Sequence, residues 1–306
     1  MFSFIVRRIL RGIPTLFVLA TISFFIMRVA PGNPFASNRK LSKVIIQNIE
    51  KHYHLDEPLW LQFGRYLWGV LRLDFGPSMK NQDHTVTELI LQGFPVSIEV
   101  GLWAMVLATV VGIALGIVGA LRRNGPTDFS AGVIAMVGLA VPTFVIGPIL
   151  QTVFGLQLNW LPVAGWDGSL QAKIMPILVL TLPNIAYISR LMRGSMIETL
   201  RTNYVRTARA KGIGARRVIW RHGLIGALLP VIAYLGPATA ITITGSIVVE
   251  KIYSIPGIGR YFIDGATNRD YPLVMGVTLL YGGIVIFANI LTDVLRGLLD
   301  PKVSYE

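Results

Sequence analysis

The residues that could do chemistry in this chain are few, and their spacing does not suit catalysis or metal binding. His52 and His54 are close together, but no His-Glu-x-x-His pattern occurs, and two neighbouring histidines are more typical of a solvated helix edge. The chain has no cysteine and no Gly-x-Ser-x-Gly turn, which excludes disulfides, thiolate-bound metals and that kind of hydrolase. The triplet Asp74-Phe75-Gly76 stands without the glycine-rich loop of a kinase, and no Gly-x-x-x-x-Gly-Lys-Ser/Thr loop is present to bind ATP. The sequence therefore predicts neither an enzyme nor a metal centre.

Two carboxylates, Glu99 and Glu250, lie at the ends of long uncharged runs. A charged side chain at the centre of a bilayer costs about 2.5 to 3.5 kcal/mol, so a carboxylate within a span usually has a function there. Since both residues are at the ends of their runs, we expect them to lie at the membrane interface. This pattern disfavours transport driven by an ion gradient, although sodium held by backbone carbonyls stays an alternative.

The elements that must hold these residues are predicted to be membrane spans. Of the 306 residues, 53% are hydrophobic and 14% are charged, whereas a soluble domain carries about 25% charged residues. A hydrocarbon core of about 30 Å needs roughly 20 helical residues. The sequence thus predicts an all-α integral membrane protein with one domain, residues 1–306. The six predicted spans cover about residues 9–29, 99–121, 129–158, 173–192, 223–249 and 271–293.

The distribution of Lys and Arg decides the predicted orientation. Both termini, together with the two connecting segments on their side of the membrane, hold 16 basic and 5 acidic residues, against 12 and 11 on the other side. Because cytoplasmic segments carry the excess of Lys and Arg, both termini are predicted to be cytoplasmic. The net charge of +12 is explained in this way, and no nucleic acid is expected as a partner. We expect the first span to be retained as an anchor, since Pro31 makes a poor signal-peptide cleavage site.

The longest segment between spans, residues 31–98, is predicted to be extracytoplasmic and to carry two short amphipathic helices on the membrane surface. The first is indicated by Val44, Ile45, Ile49, His52 and Tyr53. The second is indicated by Leu59, Phe63, Tyr66, Leu67, Val70 and Leu71.

The most basic segment, residues 193–222, is predicted to be cytoplasmic and to contain a short capped helix. Asn203 is a suitable N-cap, residues 204–211 make about two turns, and Gly212 is the glycine expected just past a helix end. The pattern indicates a knob that fits a groove on another protein, with an ordinary basic loop near anionic lipid as the alternative. Helical spacing places Tyr204, Thr207, Ala208 and Lys211 on one face, with Arg206 and Arg209 beside it.

This segment resembles the coupling loop of ABC importer permeases. The consensus of that loop is Glu-Ala-Ala, three residues and then Gly, and Arg206-Thr207-Ala208 with Gly212 stand at the matching positions. The chain departs from this consensus, but its sequence Arg-Thr-Ala-Arg-Ala-Lys-Gly at residues 206–212 resembles the form of the motif in peptide permeases. Four further stretches resemble the same family: Arg28 to Pro34, Asp74 to Ser78, Glu250 to Gly259, and Asn268 to Tyr271. Over its whole length the chain resembles the B-type permease of oligopeptide importers.

The resemblance implies a type I ABC importer permease in the bacterial inner membrane, where lipid surrounds it. It further implies a C-type permease as heterodimer partner, two cytoplasmic ATPases and an extracytoplasmic peptide-binding protein. ATP and magnesium would be bound by the ATPases, and no cofactor by this chain. Closure of the ATPases would move the coupling segment as a lever and convert an inward-facing pathway to an outward-facing one. The implied ATPase-coupling residues are Tyr204, Arg206, Thr207, Ala208, Arg209, Lys211 and Gly212.

The predicted outer loop between the last two spans contains Pro256-Gly257-Ile258-Gly259, a rigid turn followed by a flexible one. Two interpretations stay open, namely a lid or docking surface and a well-structured turn without a further role. The candidate residues for the first interpretation are Glu250, Pro256, Gly257, Gly259 and Arg260.

Other functions stay open beside the oligopeptide permease. A permease of the same family for dipeptides, nickel chelates or glutathione would carry the same motifs. A stand-alone secondary transporter or channel is suggested by the six spans and by the prolines in the third. An intramembrane hydrolase is disfavoured because the sequence offers no nucleophile elbow.

Overall fold

A computed structural model describes residues 2–29, 51, 53–81 and 83–299 of the chain, and these residues are mainly helical. Two π-helical stretches are continuous with α-helices: Gln151–Gln157 extends the helix Thr143–Leu150, and Val218–Gly223 joins the helix Ala215–Arg217 to the helix Leu224–Thr244. The α-helices are α1 (Phe2–Val29), α2 (Leu59–Leu71), α3 (Val86–Leu121), α4 (Pro126–Ala140), α5 (Thr143–Leu150), α6 (Leu170–Thr199), α7 (Asn203–Ala210), α8 (Ala215–Arg217), α9 (Leu224–Thr244), α10 (Ile247–Ile252), α11 (Ile258–Asn268) and α12 (Tyr271–Leu299).

Five helical stretches of the described chain are long and apolar enough to cross a membrane. They correspond to five of the six predicted spans: Val6–Val29, Val86–Leu121, Leu170–Thr199, Ala215–Ile252 and Tyr271–Leu298. The predicted span 129–158 is instead divided into α4 and α5, and Pro142 is the N-cap of α5. Proline has no N–H to continue the helical ladder of the preceding turn, which explains the break. The count of six spans stays a prediction.

The helix α3 starts well before the predicted span 99–121. Its N-terminus is a capping box, in which the Thr85 hydroxyl accepts from the Glu88 N–H and the Glu88 carboxylate accepts from the Thr85 N–H. Residues 86–98, predicted to belong to the outer segment, are therefore the first turns of a 36-residue helix. The predicted span began only at Glu99, because the charge of this residue interrupts the apolar run. In the structure Glu99 pairs with Lys173 of α6 at 2.5 Å, so the charge is neutralised by a neighbouring helix.

The second predicted amphipathic helix is confirmed as α2, and the first, around residue 45, lies almost entirely outside the described residues. α2 packs against α1 through aromatic rings. Phe24 of α1 has its ring centroid 5.3 Å from Phe63 and 5.6 Å from Tyr66 of α2. These contacts bury Phe24, so α2 covers part of the first membrane helix.

The centre of the bundle is the contact between α3 and α6. A Cβ at Gly116 would lie 2.7 Å from the carbonyl oxygen of Ser189, and one at Gly112 would lie 2.8 Å from the Ile188 side chain. Only glycine leaves room for backbones at this separation. α3 and α6 therefore form the frame against which α9 and the outer elements are placed, with Met105, Ile188 and Met192 in its core.

Candidate functional site

One candidate site is built around the short helix α7, in the segment that the sequence predicts to be cytoplasmic. Its N-cap is Thr202 rather than the predicted Asn203, which is the first helical residue. The Thr202 hydroxyl donates instead to the carbonyl of Thr199 at 2.7 Å, at the end of α6. A tight turn, not a side-chain cap, therefore sets the direction of α7 relative to α6.

The predicted glycine stop is confirmed. Gly212 has φ +77, a conformation that costs residues with a Cβ about 1–2 kcal/mol. Its N–H donates to the Arg209 carbonyl at 2.9 Å, and the N–H of Ile213 donates to the Ala208 carbonyl at 3.3 Å. These two bonds are the Schellman arrangement that closes a helix C-terminus.

The faces of α7 differ in part from the prediction. Val205 and Ala208 are buried and pack with Val218 and the partly buried Ile213. Ala208 therefore faces the protein and does not share an exposed face with Tyr204, because the hydrophobic contact of the Schellman turn needs a small apolar residue there. The side chains available to a partner are those of Tyr204, Arg206, Thr207, Arg209 and Lys211.

Tyr204 links the exposed face of α7 to the start of α9. Its ring is 51% exposed, yet a Cβ built on Gly226 would lie 2.9 Å from the Tyr204 hydroxyl and 3.0 Å from Thr199. The absence of a side chain at Gly226 thus lets α9 lie close to both α6 and α7.

An ion pair fixes the cytoplasmic end of α6 to the start of α4. Arg193 Nε and Nη2 donate to the two carboxylate oxygens of Asp128, each at 2.6 Å. The backbone N–H of Asn124 donates to the same carboxylate at 2.9 Å. The Arg193 guanidinium, and after it this N–H, lowers the pKa of Asp128 to about 2. The sequence analysis did not single out this pair, whose members are 65 positions apart.

The outer candidate site is organised by a buried carboxylate. Glu250 has no exposed surface, so its carboxylate faces the interior of the protein. Its place at the depth of the membrane interface stays a prediction. Ser97 and Ser246 donate hydroxyl hydrogen bonds to its Oε1 at 2.6 and 2.5 Å. The N–H groups of Gly259 and Arg260 donate to its Oε2 at 2.9 and 3.2 Å. Four donors replace the water that a carboxylate loses on burial, which satisfies its hydrogen-bonding capacity inside the protein.

The two glycines of the outer loop are needed for space around this carboxylate. A Cβ at Gly257 would overlap the Glu250 carboxyl group, and one at Gly259 would lie 2.7 Å from Cα of Ile247. Their φ angles are not in the left-handed region, so close approach and not backbone flexibility explains them. The loop is therefore wrapped tightly around Glu250, which supports the well-structured turn; its role as a lid or docking surface stays a prediction.

Beside this loop lies an open polar cavity of about 330 Å³. Pro256 and Arg260 line one side of it, and Lys80 and Asp270 line another. The Asp270 carboxylate is buried and accepts a hydrogen bond from the Ser78 hydroxyl and one from the Met79 N–H at 3.1 Å. Asp270 thus ties the segment before α3 to the start of α12. Within the described ranges, no three His, Asp or Glu side chains come together as metal ligands.

Sequence reasoning missed several residues that the structure brings to these sites. Ser97, Ser246 and Asp270 are partners or members of buried carboxylate clusters. Ser97 and Asp270 are far in sequence from their partners Glu250 and Ser78, whereas Ser246 is four residues before Glu250. The available signal was a polar residue within or next to an apolar run, but such residues are common. Only their meeting in space distinguishes them.

Comparison with known families covers almost the whole chain. Residues 112–305 match the family described as the inner membrane component of binding-protein-dependent transport systems. Residues 1–101 match the N-terminal family of the membrane components of the same systems.

Curated relatives include full-length permeases. The oligopeptide transport system permease protein OppB of Salmonella typhimurium is 49% identical over all 306 residues, and that of Escherichia coli K12 is 48% identical; each match spans both chains completely. The dipeptide transport system permease protein DppB of Bacillus subtilis is 40% identical, covering 99% of this chain and 98% of its own.

Solved structures share the fold at low sequence identity. The crystal structure of an amino acid ABC transporter with histidines superposes with a TM-score of 0.56 at 16% identity, covering 70% of this chain and 95% of its own. The inward-facing MetNI methionine ABC transporter superposes with a TM-score of 0.58 at 14% identity, covering 69% and 96%. The helical bundle is therefore that of ABC importer permeases.

Proposed function

Since this chain belongs to the family of inner membrane components of binding-protein-dependent transport systems, we propose that it is the transmembrane permease subunit of an ATP-driven oligopeptide importer. The identity of 48–49% with oligopeptide permeases over both full lengths carries this conclusion. The chain is a multi-pass protein of the bacterial inner membrane and is not itself an enzyme.

The dipeptide permeases are the second candidate. The Bacillus subtilis dipeptide permease is 40% identical, so the oligopeptide permeases are nearer by eight to nine percentage points. We therefore assign oligopeptides as the substrate class. Dipeptides, nickel chelates and glutathione are the alternative substrates, and their uptake should be compared with that of oligopeptides.

Our proposal includes four partners: a C-type permease, two cytoplasmic ATPases that bind ATP and magnesium, and an extracytoplasmic peptide-binding protein. The free energy of ATP hydrolysis enters through α7. Its exposed cationic face, with Arg206, Arg209 and Lys211, fits a groove on one ATPase. The close approach of Tyr204 and Thr199 to Gly226 would then pass the motion of α7 and the end of α6 to α9.

The orientation follows from this assignment. Both termini and α7 lie on the cytoplasmic side, and the loop around Glu250 with the cavity beside it lies outside. Pro256, Gly257, Gly259 and Arg260 are held rigidly there, which suits a surface that receives the binding protein.

The experiment is reconstitution of the chain with its coexpressed partners in vesicles. We expect two ATPases and a second permease to copurify in mild detergent, and labelled oligopeptides to accumulate only with ATP and the binding protein. Dipeptides supplied at equal concentration should compete weakly. Uptake by the purified chain alone, driven by an ion gradient, would reject the proposal in favour of a secondary transporter.

A further inference from the structure

A polar network crosses three helices, near the middle of the predicted spans of α6 and α9. The Tyr234 hydroxyl of α9 donates to Oδ1 of Asn184 in α6 at 3.2 Å. Nδ2 of Asn184 donates to the Thr242 hydroxyl at 3.2 Å, and this hydroxyl contacts the sulfur of Met105 in α3 at 3.4 Å. Polar side chains at this depth are costly and usually face the interior of a bundle or a water-filled cavity.

The network ends in an aromatic pair, of which Tyr187 is exposed and Tyr234 is half-buried. The ring of Tyr187 stacks on that of Tyr234 with centroids 4.2 Å apart and an angle of 19°. Tyr187 is 46% exposed. At 1.5 Å per residue, Tyr234 lies about 3 Å and Tyr187 about 7 Å from the midpoints of their predicted spans. Tyrosine normally lies at the membrane interface, so an exposed phenol at this depth argues against contact with lipid tails.

The same face of α6 stays polar toward the cytoplasm. Arg190, Gly194 and Glu198 follow Tyr187 at intervals of three and four residues, and all three are exposed. Helical periodicity therefore places them in one stripe. The first charge comes within about 5 Å of Tyr187 along the helix axis. Since Gly194 and Glu198 belong to the predicted cytoplasmic segment, this exposed face leads from Tyr187 to the cytoplasmic side, as the wall of a passage would.

We propose that the Tyr187–Tyr234 pair is a contact site for the peptide in transit, on the wall of the translocation pathway. This inference rests on the proposed function and adds to it a place where the substrate is held. The rings offer an apolar face to side chains of any sequence. The Tyr187 hydroxyl can donate to and accept from peptide main-chain groups, and the Tyr234 hydroxyl, which donates to Asn184, can accept from them. The site carries no charge of its own, so it does not select for charged peptides.

The alternative occupants of this surface are the second permease and lipid. A photoreactive p-benzoylphenylalanine at position 187, in the complete complex with ATPases and binding protein, distinguishes them. The matched control is position 287, since Phe287 on α12 is 68% exposed and lies at similar depth in its predicted span. We expect crosslinks to a labelled oligopeptide at 187 that depend on ATP turnover, and none at 287.

Crosslinks at 187 only to the second permease or to lipid, in a complex that still imports peptide, would overturn this inference and leave the proposed function intact. Failure of the unmodified complex to import peptide with ATP would instead reject the function. If the probe at 187 abolishes import, position 194 replaces it, because nothing lies within 4 Å of a Cβ on Gly194. The same peptide crosslink is expected there, and its absence in an importing complex contradicts the proposal.

Substitutions give a second readout. Tyr187→Phe keeps the ring and should retain most of the uptake rate, whereas Tyr187→Ala should lower uptake at saturating peptide several-fold. Copurification of the ATPases should be unchanged in both variants, because Tyr187 lies about 18 Å along α6 from Thr199, the end of the helix next to α7. Equal uptake by Tyr187→Ala and the unmodified chain would count against the site.

Discussion

Ser97 and Glu250 join two helices that are 153 residues apart in sequence. The Ser97 hydroxyl donates to the Glu250 carboxylate at 2.6 Å and accepts from the N–H of Ile258 at 2.9 Å. One hydroxyl group thus holds the carboxylate and the first residue of α11 at once. The outer loop between these two points is closed on itself, and its geometry depends on this contact.

The first prediction concerns the space around Glu250. Gly257→Ala places a methyl group where the carboxylate now lies, and overpacking of this kind costs about 1–3 kcal/mol. We expect a lower melting temperature of the purified complex in detergent, measured by intrinsic fluorescence. The matched control is Gly64→Ala on α2, where nothing lies within 4 Å of the added Cβ. Equal melting temperatures for the two variants would contradict the tight loop.

Replacing the carboxylate itself tests its four donors. Glu250→Gln keeps the shape but presents an NH₂ group to hydroxyls and N–H groups that now donate. A buried donor left without an acceptor costs about 1–3 kcal/mol. We expect Glu250→Gln to destabilise the complex and to loosen the outer loop, detected as faster proteolysis near Arg260. Unchanged proteolysis would show that the carboxylate does not hold the loop.

The third prediction concerns the end of the coupling helix α7. Gly212→Ala forces an L-residue into φ +77, a cost of about 1–2 kcal/mol that weakens the Schellman turn. Gly214→Ala is the matched control, because Gly214 has φ −54 and no atom within 4 Å of its added Cβ. ATP-dependent uptake should fall several-fold in Gly212→Ala alone. Loss of uptake in both variants to the same degree would point to the segment's charge or length instead.

The fourth prediction concerns the ion pair between Asp128 and Arg193. The pKa of Asp128 is about 2, below its ordinary value of 3.8, so the pair stabilises the folded chain above about pH 4 and loses that effect as pH falls toward 2. Asp128→Asn should lower the melting temperature at pH 7. The difference from the unmodified chain should shrink as the pH is lowered through this window. A difference independent of pH would mean that the carboxylate charge does not contribute.

The residues of the coupling segment show which structural features could be predicted from the local sequence and which could not. Gly212 was predicted to end the helix and does so, because a helix stop depends on the φ preference of one residue. Ala208 was placed on the wrong face. Its burial depends on Val218 and Ile213, which follow the helix and fold back on it. Periodicity groups residues by face but does not say which face the rest of the protein covers.

The start of α3 illustrates the same limit at a charged residue. The predicted span began only at Glu99, although the residues of the capping box, Thr85 and Glu88, were present in the sequence and mark an earlier helix start. A charge stops a hydropathy window, whereas a membrane helix accepts it when a neighbour such as Lys173 neutralises it. Lys173 is 74 positions away from Glu99, so the hydropathy pattern around Glu99 could not indicate their pairing.

The sequence by itself determined the membrane class, most of the span positions, the short basic helix with its glycine stop, and the family resemblance. These properties follow from hydropathy, charge and backbone preferences of residues that are adjacent in the chain. The tertiary structure alone decided that Glu250 is buried, that Asp128 pairs with Arg193, and that Tyr187 stacks on Tyr234. The physical reason is that the free energy of a buried polar group is set by its partners, and helix packing brings those partners from distant parts of the chain.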